Sequence, residues 1–340
     1  MTRENIADLK IKLKRTIYSH KVDKGQDQVK DHNQRLGFTP VLLLAYLRSG
    51  SSFTADIIQQ APNTFFVFEP LMNILQRVQI KTEPSCTNTD LFSEECRETS
   101  TNSFILDQMS GLFNCNFTEP FLQPEHPGGS INQMFLSKCL RIHKRRPNTC
   151  YRQLKQMCLK SSVRLVKTIR ISVNLTKQLL IQIPNLKIVH LLRDPRAMIG
   201  SRKDGDFMSE TNKYLITPED ICPRYERDLV AAMDIKRIWP DSIMQIYYED
   251  LVLNPFVVSK AIYYFMGIKF PDKMQKWITE HTHSRHKNTY YYGTVRANSS
   301  SNIFKWKKSL QEKTIKETDK VCSSFYKSVN YFYKPYDKNS

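Results

Sequence analysis

The stretch VLLLAYLRSGSSF, residues 41–53, decides the fold of this chain. Its apolar run ends at Arg48, and four small residues, Ser49, Gly50, Ser51 and Ser52, follow. A short, continuously apolar run bounded by Gly and Ser is typical of a strand that is buried on both faces of a sheet. We therefore predict a strand over 41–47, a turn over 48–51 and a helix from about 52 to 60.

The segments that follow repeat this alternation of strand and helix. A second strand, TFFVFEP, ends at Glu69 and Pro70 and completes a β-α-β unit, which implies a parallel sheet. Further strands are predicted in SVRLVKTIR, LKIVHLL and SIMQIYYEDL, and further helices in NLTKQLLIQIP, residues 219–239 and VSKAIYYFMGI. The fold class predicted is α/β, with a mostly parallel sheet flanked by helices.

Two strands end in an arginine. Arg48 follows the first strand, and Arg193 follows the apolar strand at about 187–192, with Pro195 in the next helical turn and Ser201 two turns further on. Ligands of open parallel sheets bind beyond the carboxyl ends of the strands, and small residues before a helix let backbone N–H groups approach an anion. A phosphate or sulfate group is therefore the expected ligand, and Arg48 supplies a planar donor fork for it.

Two other interpretations of the first loop are open. The loop contains one glycine and no GxxxxGK[ST] pattern, which argues against a P-loop NTPase. An ordinary strand-to-helix turn, with a serine as the helix cap, would give the same local sequence. The second arginine-terminated strand favours the anion site over the ordinary turn.

Composition and charge limit the class of protein. The formal net charge is +18 and 40% of residues are hydrophobic, so that a globular protein with an anionic partner is expected. Nucleic acid, a membrane surface, an acidic polysaccharide and a phosphate-rich cofactor all fit this charge, but no helix-turn-helix, RNP or zinc signature supports nucleic acid. The longest apolar run has seven residues, far below the roughly 20 of a spanning helix, so no membrane anchor is expected in this chain.

The eight cysteines indicate a redox compartment. Six of them lie between Cys86 and Cys158, none forms a CxxC pair, and N-x-S/T triplets occur at Asn116, Asn174 and Asn298. These features favour disulfides in an oxidising lumen over free thiols in the cytosol. Eight cysteines allow 105 pairings, so the spacing leaves the connectivity open.

We expect a basic stem at 1–37 and one domain at 38–340, with a loop-rich, disulfide-tied insertion of short helices at about 80–160.

Several segments of the sequence resemble those of a known enzyme family. YLRSGSSF with FFVFEP, and VHLLRDPRAMIGSR, resemble the 5′-phosphosulfate loop and the 3′-phosphate motif of the Golgi carbohydrate 6-O-sulfotransferases. Further similar segments are VKTIR (166–170), YYEDLVLNP (247–255), WITEHTH (277–283), TVRANSSSNIFKWK (294–307) and VCSSFYKSVNYFYKPY (321–336). The resemblance covers about 38–336. The chain departs from the family pattern at Tyr46, Leu47 and Lys307, and in lacking an N-terminal anchor.

The resemblance implies a fold, an activity and a set of ligands. The fold is the P-loop-kinase-like sulfotransferase fold, and the activity is transfer of a sulfuryl group from 3′-phosphoadenylyl sulfate (PAPS), without a metal, to the 6-hydroxyl of a hexose or N-acetylhexosamine in a glycan or glycosaminoglycan. The location implied is the Golgi lumen, and a Cys222–Cys322 disulfide is implied by family cysteines at these positions. A glycosaminoglycan-binding, lectin-like protein without catalysis is the alternative. The donor-binding residues implied are Arg48, Ser49, Gly50, Ser51, Ser52, Phe53, Arg193, Ser201 and Arg296.

Glu69 is the predicted general base, because it closes the second strand at the edge of the sheet where the donor loop lies. Arg48 is the second predicted catalytic group and stabilises charge on the departing phosphate. The alternative for Glu69 is a structural carboxylate that pairs with Arg48 or Arg170. Lys167 and Arg170 either line the site or form surface pairs, His190 is expected in the core, and Glu249 with Asp250 is expected to tie the end of a strand to neighbouring loops. His281, His283 and His286 lie in EHTHSRH with no cysteine or carboxylate triad nearby, which favours a solvated or sugar-contacting segment over a metal site.

Overall fold

A computed structural model describes residues 37–71, 99–116, 130–144, 146–203, 217–282 and 302–329. Residues 39–340 form one compact unit and residues 1–38 form another. The predicted stem lies outside the described residues except for Gly37. The boundary at 37/38 and the limits of the insertion therefore stay predictions.

The described residues form five strands and thirteen helices. The strands are β1 (Thr39–Leu44), β2 (Thr64–Phe68), β3 (Val163–Thr168), β4 (Lys187–Leu192) and β5 (Ile243–Tyr247). The helices are α1 (Ser51–Ile58), α2 (Thr99–Phe113), α3 (Ile131–Ile142), α4 (Pro147–Leu159), α5 (Val173–Gln182), α6 (Pro195–Lys203), α7 (Pro218–Ile238), α8 (Tyr248–Leu253), α9 (Pro255–Phe265), α10 (Met274–Thr282), α11 (Trp306–Ser309), α12 (Glu312–Val321) and α13 (Ser323–Ser328).

The five strands form one parallel sheet in the order β2-β3-β1-β4-β5. The α/β fold with a parallel sheet flanked by helices is therefore confirmed. β1 occupies the centre and all six of its residues are buried, as its unbroken apolar sequence predicts. β3 lies between β1 and β2, so the crossover through α1 passes over one strand position.

β1 is shorter than predicted, because it ends at Leu44 and not at residue 47. Just after β1, the N–H of Ala45 donates a hydrogen bond to the carbonyl of Thr168, the last residue of β3, at 3.1 Å. The chain then turns, and Arg48 and Gly50 adopt positive φ values of 66° and 94°. Extended backbone has negative φ, so the ladder cannot continue through this loop.

The cysteine-rich segment is more regular than the sequence suggested. Instead of loops and short helices, it contains α2, α3 and α4, with 15, 12 and 13 residues. Disulfides join Cys115 to Cys158 and Cys139 to Cys150. Buried side chains of these helices share one hydrophobic core with β1, because their apolar residues recur at helical spacing.

The third disulfide joins Cys222 of α7 to Cys322, which directly follows α12. This pairing confirms the one implied by the family resemblance. The bond lies in a second core cluster that also contains Tyr46, Tyr225 and Trp306. All six cysteines of the described residues are bonded, as expected for an oxidising compartment. None of the helices described here has the length and apolar character needed to cross a membrane.

Candidate active site

The two arginine-terminated strands are neighbours in the sheet, so their loops meet at one edge. β1 and β4 are paired in parallel register up to Leu44 and His190. Beyond the strands, the Arg48 Nε donates to Ser201 Oγ at 3.0 Å, and the Arg193 Nη1 donates to the carbonyl of Arg48 at 2.7 Å. Arg48 therefore contacts both Arg193 and Ser201, which lie 145 and 153 positions later in the sequence.

The loop before α1 presents its backbone N–H groups without partners. Gly50 stands at the N-cap with φ 94°, and no side chain caps the helix. Within the described parts of the chain, no hydrogen-bond acceptor is found for the N–H groups of residues 50–53. The Ser-capped turn that was open from the sequence is therefore not present. Four N–H groups at a positive helix end form a cradle that suits an anion.

The serines of this loop have different environments. Ser49 is completely buried, and its Oγ accepts a hydrogen bond from the N–H of Tyr46 at 3.3 Å. Its side chain therefore braces the turn, whereas Ser52 is only partly buried and lies at the first turn of α1. The ring of Phe53 stacks on Trp277 of α10, with centroids 6.4 Å apart. The predicted donor-binding residues of this loop therefore act in two ways. Some offer backbone N–H groups to a ligand, and others have side chains that shape the loop.

Arg193 is a buried arginine with no carboxylate partner among the described residues. It is 8% exposed, and its guanidinium donates only to two backbone carbonyls, those of Arg48 and Asn302. Its Nε is buried without a hydrogen-bond partner, and the described residues give it no carboxylate within ion-pair distance. Arg196, three residues later, instead binds Asp194 and Asp319. A buried cation without a counterion is costly unless an anion binds beside it.

Tyr248 is a site residue that the sequence reasoning missed. Its ring lies 4.4 Å from the Arg193 guanidinium, measured to the ring centroid. On the loop before α1, a Cβ placed on Gly50 would stand 2.2 Å from the Tyr248 Cδ2, so only glycine fits against this ring. Tyr248 follows β5 directly and is therefore a third residue at the carboxyl end of a strand, a signal that was available in the sequence.

Buried polar groups hold the backbone of both loops. The Tyr225 hydroxyl accepts from the N–H of Arg193 at 3.2 Å and donates to its carbonyl at 3.1 Å. Burial raises the pKa of Tyr225, so this hydroxyl remains a donor at any physiological pH. The Glu249 Oε1 accepts from the N–H of Asp194 at 3.1 Å, which confirms the structural role expected for Glu249. On the other loop, Arg202 donates to the carbonyl of Leu47 at 2.8 and 3.1 Å.

Tyr46, one of the positions that departs from the family pattern, anchors the first loop to the core. Its hydroxyl donates to Asp228 Oδ2 at 2.6 Å and lies 2.9 Å from His190 Nε2. His190 is completely buried, as predicted, and burial together with Arg224 lowers its pKa to about 3. The imidazole is therefore neutral and serves as a hydrogen-bonding core residue.

Glu69 stands at the end of β2 between two cations. Its Oε1 accepts from Lys167 Nζ at 2.5 Å and its Oε2 pairs with Arg170. Burial raises the pKa of Glu69, but Lys167 and Arg170 outweigh burial, and the net pKa is below the ordinary value. The alternative of a carboxylate paired with Arg170 is thus observed, and Lys167 joins it in the interior rather than at the surface. Its role as a base stays a prediction.

Several predicted positions lie outside the described residues, namely Arg296, His283 and His286. His281 is described, and its Nδ1 donates to the carbonyl of Trp277 at 2.8 Å, one helical turn earlier. Among the residues that the structure describes, no three His, Cys, Asp or Glu side chains are grouped as metal ligands would be.

Three comparisons with known proteins found proteins similar to this chain. The model of the family described as "Sulfotransferase family" matches residues 40–272. Carbohydrate sulfotransferase 1 of Danio rerio is 27% identical over 341 residues, which cover 86% of this chain and 79% of that protein. Carbohydrate sulfotransferase 3 of Tetronarce californica is 25% identical over 334 residues, 86% and 72% of the two chains. Among solved structures, retinol dehydratase in a complex with retinol and PAP is 14% identical, with a TM-score of 0.45 and coverage of 87% and 83%.

Proposed function

The chain belongs to the Sulfotransferase family, and from that premise we propose that it transfers the sulfuryl group of PAPS to the 6-hydroxyl of a hexose or N-acetylhexosamine in a glycan or glycosaminoglycan. Relatives named carbohydrate sulfotransferases support a carbohydrate acceptor. The net charge of +18 favours an acceptor that is itself acidic.

One observation carries the proposal: the loop before α1 and the loop after β4 meet, and each offers donors that suit an anion, namely the N–H groups of residues 50–53 and the guanidinium of Arg193. The free N–H groups of residues 50–53, with Arg48, would hold the 5′-phosphosulfate. Arg193 and Ser201 would hold the 3′-phosphate, and Arg296 is proposed as a further ligand. Two anion sites bridged by the Arg48–Ser201 hydrogen bond match a donor with phosphates at two positions of one ribose.

The chemistry asks the protein for positioning and for charge stabilisation. The acceptor hydroxyl oxygen attacks sulfur, the bond from sulfur to the 5′-phosphate oxygen breaks, and adenosine 3′,5′-bisphosphate (PAP) leaves. The departing phosphate gains negative charge, which the N–H groups of the loop and Arg48 are placed to stabilise. These donors belong to rigid backbone, so they need no reorganisation during the reaction.

The hydroxyl proton needs an acceptor, and Glu69 is the residue we propose. Its paired cations keep it ionised, which is the state a base requires. Lys167 and Arg170 also fix its position, because both carboxylate oxygens are engaged. We propose the Golgi lumen as the location, a compartment in which the disulfides would persist.

The test is incubation of the purified chain with PAPS and a panel of glycans that end in galactose, N-acetylgalactosamine or N-acetylglucosamine. Sulfate on the 6-hydroxyl, mapped by NMR, is expected for one class of acceptor. Glycan binding without transfer would instead support the lectin, and sulfate at another hydroxyl would refute the 6-O assignment.

A further inference from the structure

The helices α3 and α4 form a strongly basic hairpin. Residues 131–160, which we call the basic hairpin, contain eight Lys or Arg and no Asp or Glu. The whole chain of 340 residues has a net charge of +18, so this stretch of 30 residues accounts for 8 of the 18 charges. Charge is therefore concentrated here and is not an even property of the chain.

The described charges of the basic hairpin are exposed and have no counterions among the residues that the structure describes. Seven of the eight cations are described, and all seven are exposed: Lys138, Arg141, Lys144, Arg146, Arg152, Lys155 and Lys160. None of these seven forms an ion pair in the structure. Exposed lysines of other helices do pair with acids one turn away, as Lys316 does with Glu312 at 2.9 Å. Like charges held this close repel each other unless an external anion binds.

The basic hairpin is a rigid platform. The Cys139–Cys150 disulfide joins α3 to α4 across the short connection between them. Leu136 and Leu154, one from each helix, are completely buried in the main core. The cations therefore stand on a fixed surface, and an anionic partner need not order it on binding.

The basic hairpin is attached to the strand that carries Glu69. The side chain of Gln133 pairs with the backbone of Phe68, accepting from its N–H and donating to its carbonyl, both at 3.0 Å. Asn132 accepts from the N–H of Phe66 at 2.8 Å, so the first turn of α3 covers the open edge of β2. Phe68 directly precedes Glu69. At 1.5 Å per residue, the first cation, Lys138, lies about 8 Å along α3 from Gln133.

We propose that the basic hairpin is an exosite for a sulfated glycosaminoglycan: it binds anionic groups of a long acceptor chain whose reacting sugar lies at Glu69. The inference rests on the proposed function. A polymer that carries a charge on successive sugars can bind several of these exposed cations at once, whereas a short acceptor can bind few of them. A carbohydrate polymer is favoured over nucleic acid or a membrane because the relatives are named carbohydrate sulfotransferases.

The test is equilibrium binding of fluorescent chondroitin sulfate, as a long chain and as a tetrasaccharide, measured by anisotropy. The hairpin variant is Lys138→Gln, Arg141→Gln and Lys144→Gln together. The control variant removes the same charge from exposed, unpaired lysines of α12 and α13: Lys313→Gln, Lys320→Gln and Lys327→Gln. Both variants are checked for an unchanged Tm and for PAP binding by calorimetry.

The hairpin variant is expected to bind the long chain roughly 3- to 100-fold more weakly, since three exposed ion pairs are lost. The control variant is expected to change binding by less than about twofold, and the tetrasaccharide, which contacts fewer cations at once, is expected to lose less affinity in the hairpin variant than the long chain does. Equal losses in the two variants would overturn the exosite, because net charge alone would then explain binding. A larger effect on a DNA duplex or on anionic phospholipid vesicles would also overturn it. Absence of PAP binding by the unaltered chain would instead refute the proposed function.

Discussion

Replacing Glu69 by glutamine removes a buried negative charge from between two cations while keeping the shape of the side chain. The carboxylate is 3% exposed, and its partners Lys167 and Arg170 are 5% and 18% exposed. Removing one member of a buried ion pair typically costs about 3–5 kcal/mol, because the partner charge stays buried. Arg170 retains some water and the amide oxygen can still accept a hydrogen bond, so we expect a loss of about 3 kcal/mol in the free energy of unfolding.

The same variant separates a base from a brace. If Glu69 accepts the proton, turnover at saturating PAPS should fall by roughly 10²–10⁴, the usual contribution of a positioned base, while PAP affinity is kept. If Glu69 only orders Lys167 and Arg170, PAP affinity should fall and turnover of the folded enzyme at saturating PAPS should stay near normal. Calorimetric titration with PAP and single-turnover sulfate transfer measure the two quantities independently.

The pH dependence of stability follows from the lowered pKa of Glu69. A carboxyl with a folded pKa below its unfolded value of about 4.3 stabilises the fold at neutral pH. That contribution disappears as the pH falls through the folded pKa, so the unaltered chain should lose Tm on acidification below about pH 4.3, and Glu69→Gln should lose less. Glu317→Gln, which alters an exposed carboxylate of α12 that has no ion pair among the described residues, is the matched control and should leave the acid limb unchanged.

Two results would refute this reasoning. An unchanged Tm and acid limb in Glu69→Gln would mean that the ion pairs with Lys167 and Arg170 contribute nothing to stability. Turnover close to that of the unaltered chain would mean that another group accepts the proton, whatever the effect on stability.

Three further predictions concern the loops. Arg193→Ala should weaken PAP binding about 10- to 100-fold but AMP binding little, because the variant loses a charge-assisted contact to the 3′-phosphate. Equal losses of affinity for PAP and AMP in calorimetry would contradict that role. Tyr248→Leu should weaken PAP binding about 2- to 30-fold through loss of the ring under Arg193, whereas Tyr248→Phe should bind normally; similar behaviour of the two variants would argue against stacking. Gly50→Ala forces a Cβ against the Tyr248 ring and should cost about 1–3 kcal/mol of stability with a loss of PAP affinity; an unchanged Tm and titration would show that the loop can adapt.

The elements of the sheet were predictable because each strand is encoded locally. Short apolar runs, such as 41–44 and 188–192 with only His190 interrupting the second, are typical of strands covered on both faces, and helical segments between them favour parallel neighbours. The same runs end in Arg48 and Arg193, so a sequence of this kind already predicts positive charge at one edge of the sheet. The helices of the cysteine-rich segment were underestimated, although α2, α3 and α4 contain only one glycine and one proline, Gly111 and Pro147.

The partners of the charged residues were decided only by the tertiary structure. Arg193 and Arg196 are equivalent in sequence, yet Arg196 is neutralised by Asp319, 123 residues away, and Arg193 is not. From the sequence, Arg48 and Arg170 were the possible ion-pair partners of Glu69. Because β3 lies between β1 and β2, the observed partners are Lys167 and Arg170. The physical reason is that the local pattern of apolar residues determines which segments become strands. The order of those strands then determines which side chains lie next to each other at the edge of the sheet. That order depends on packing across the whole chain.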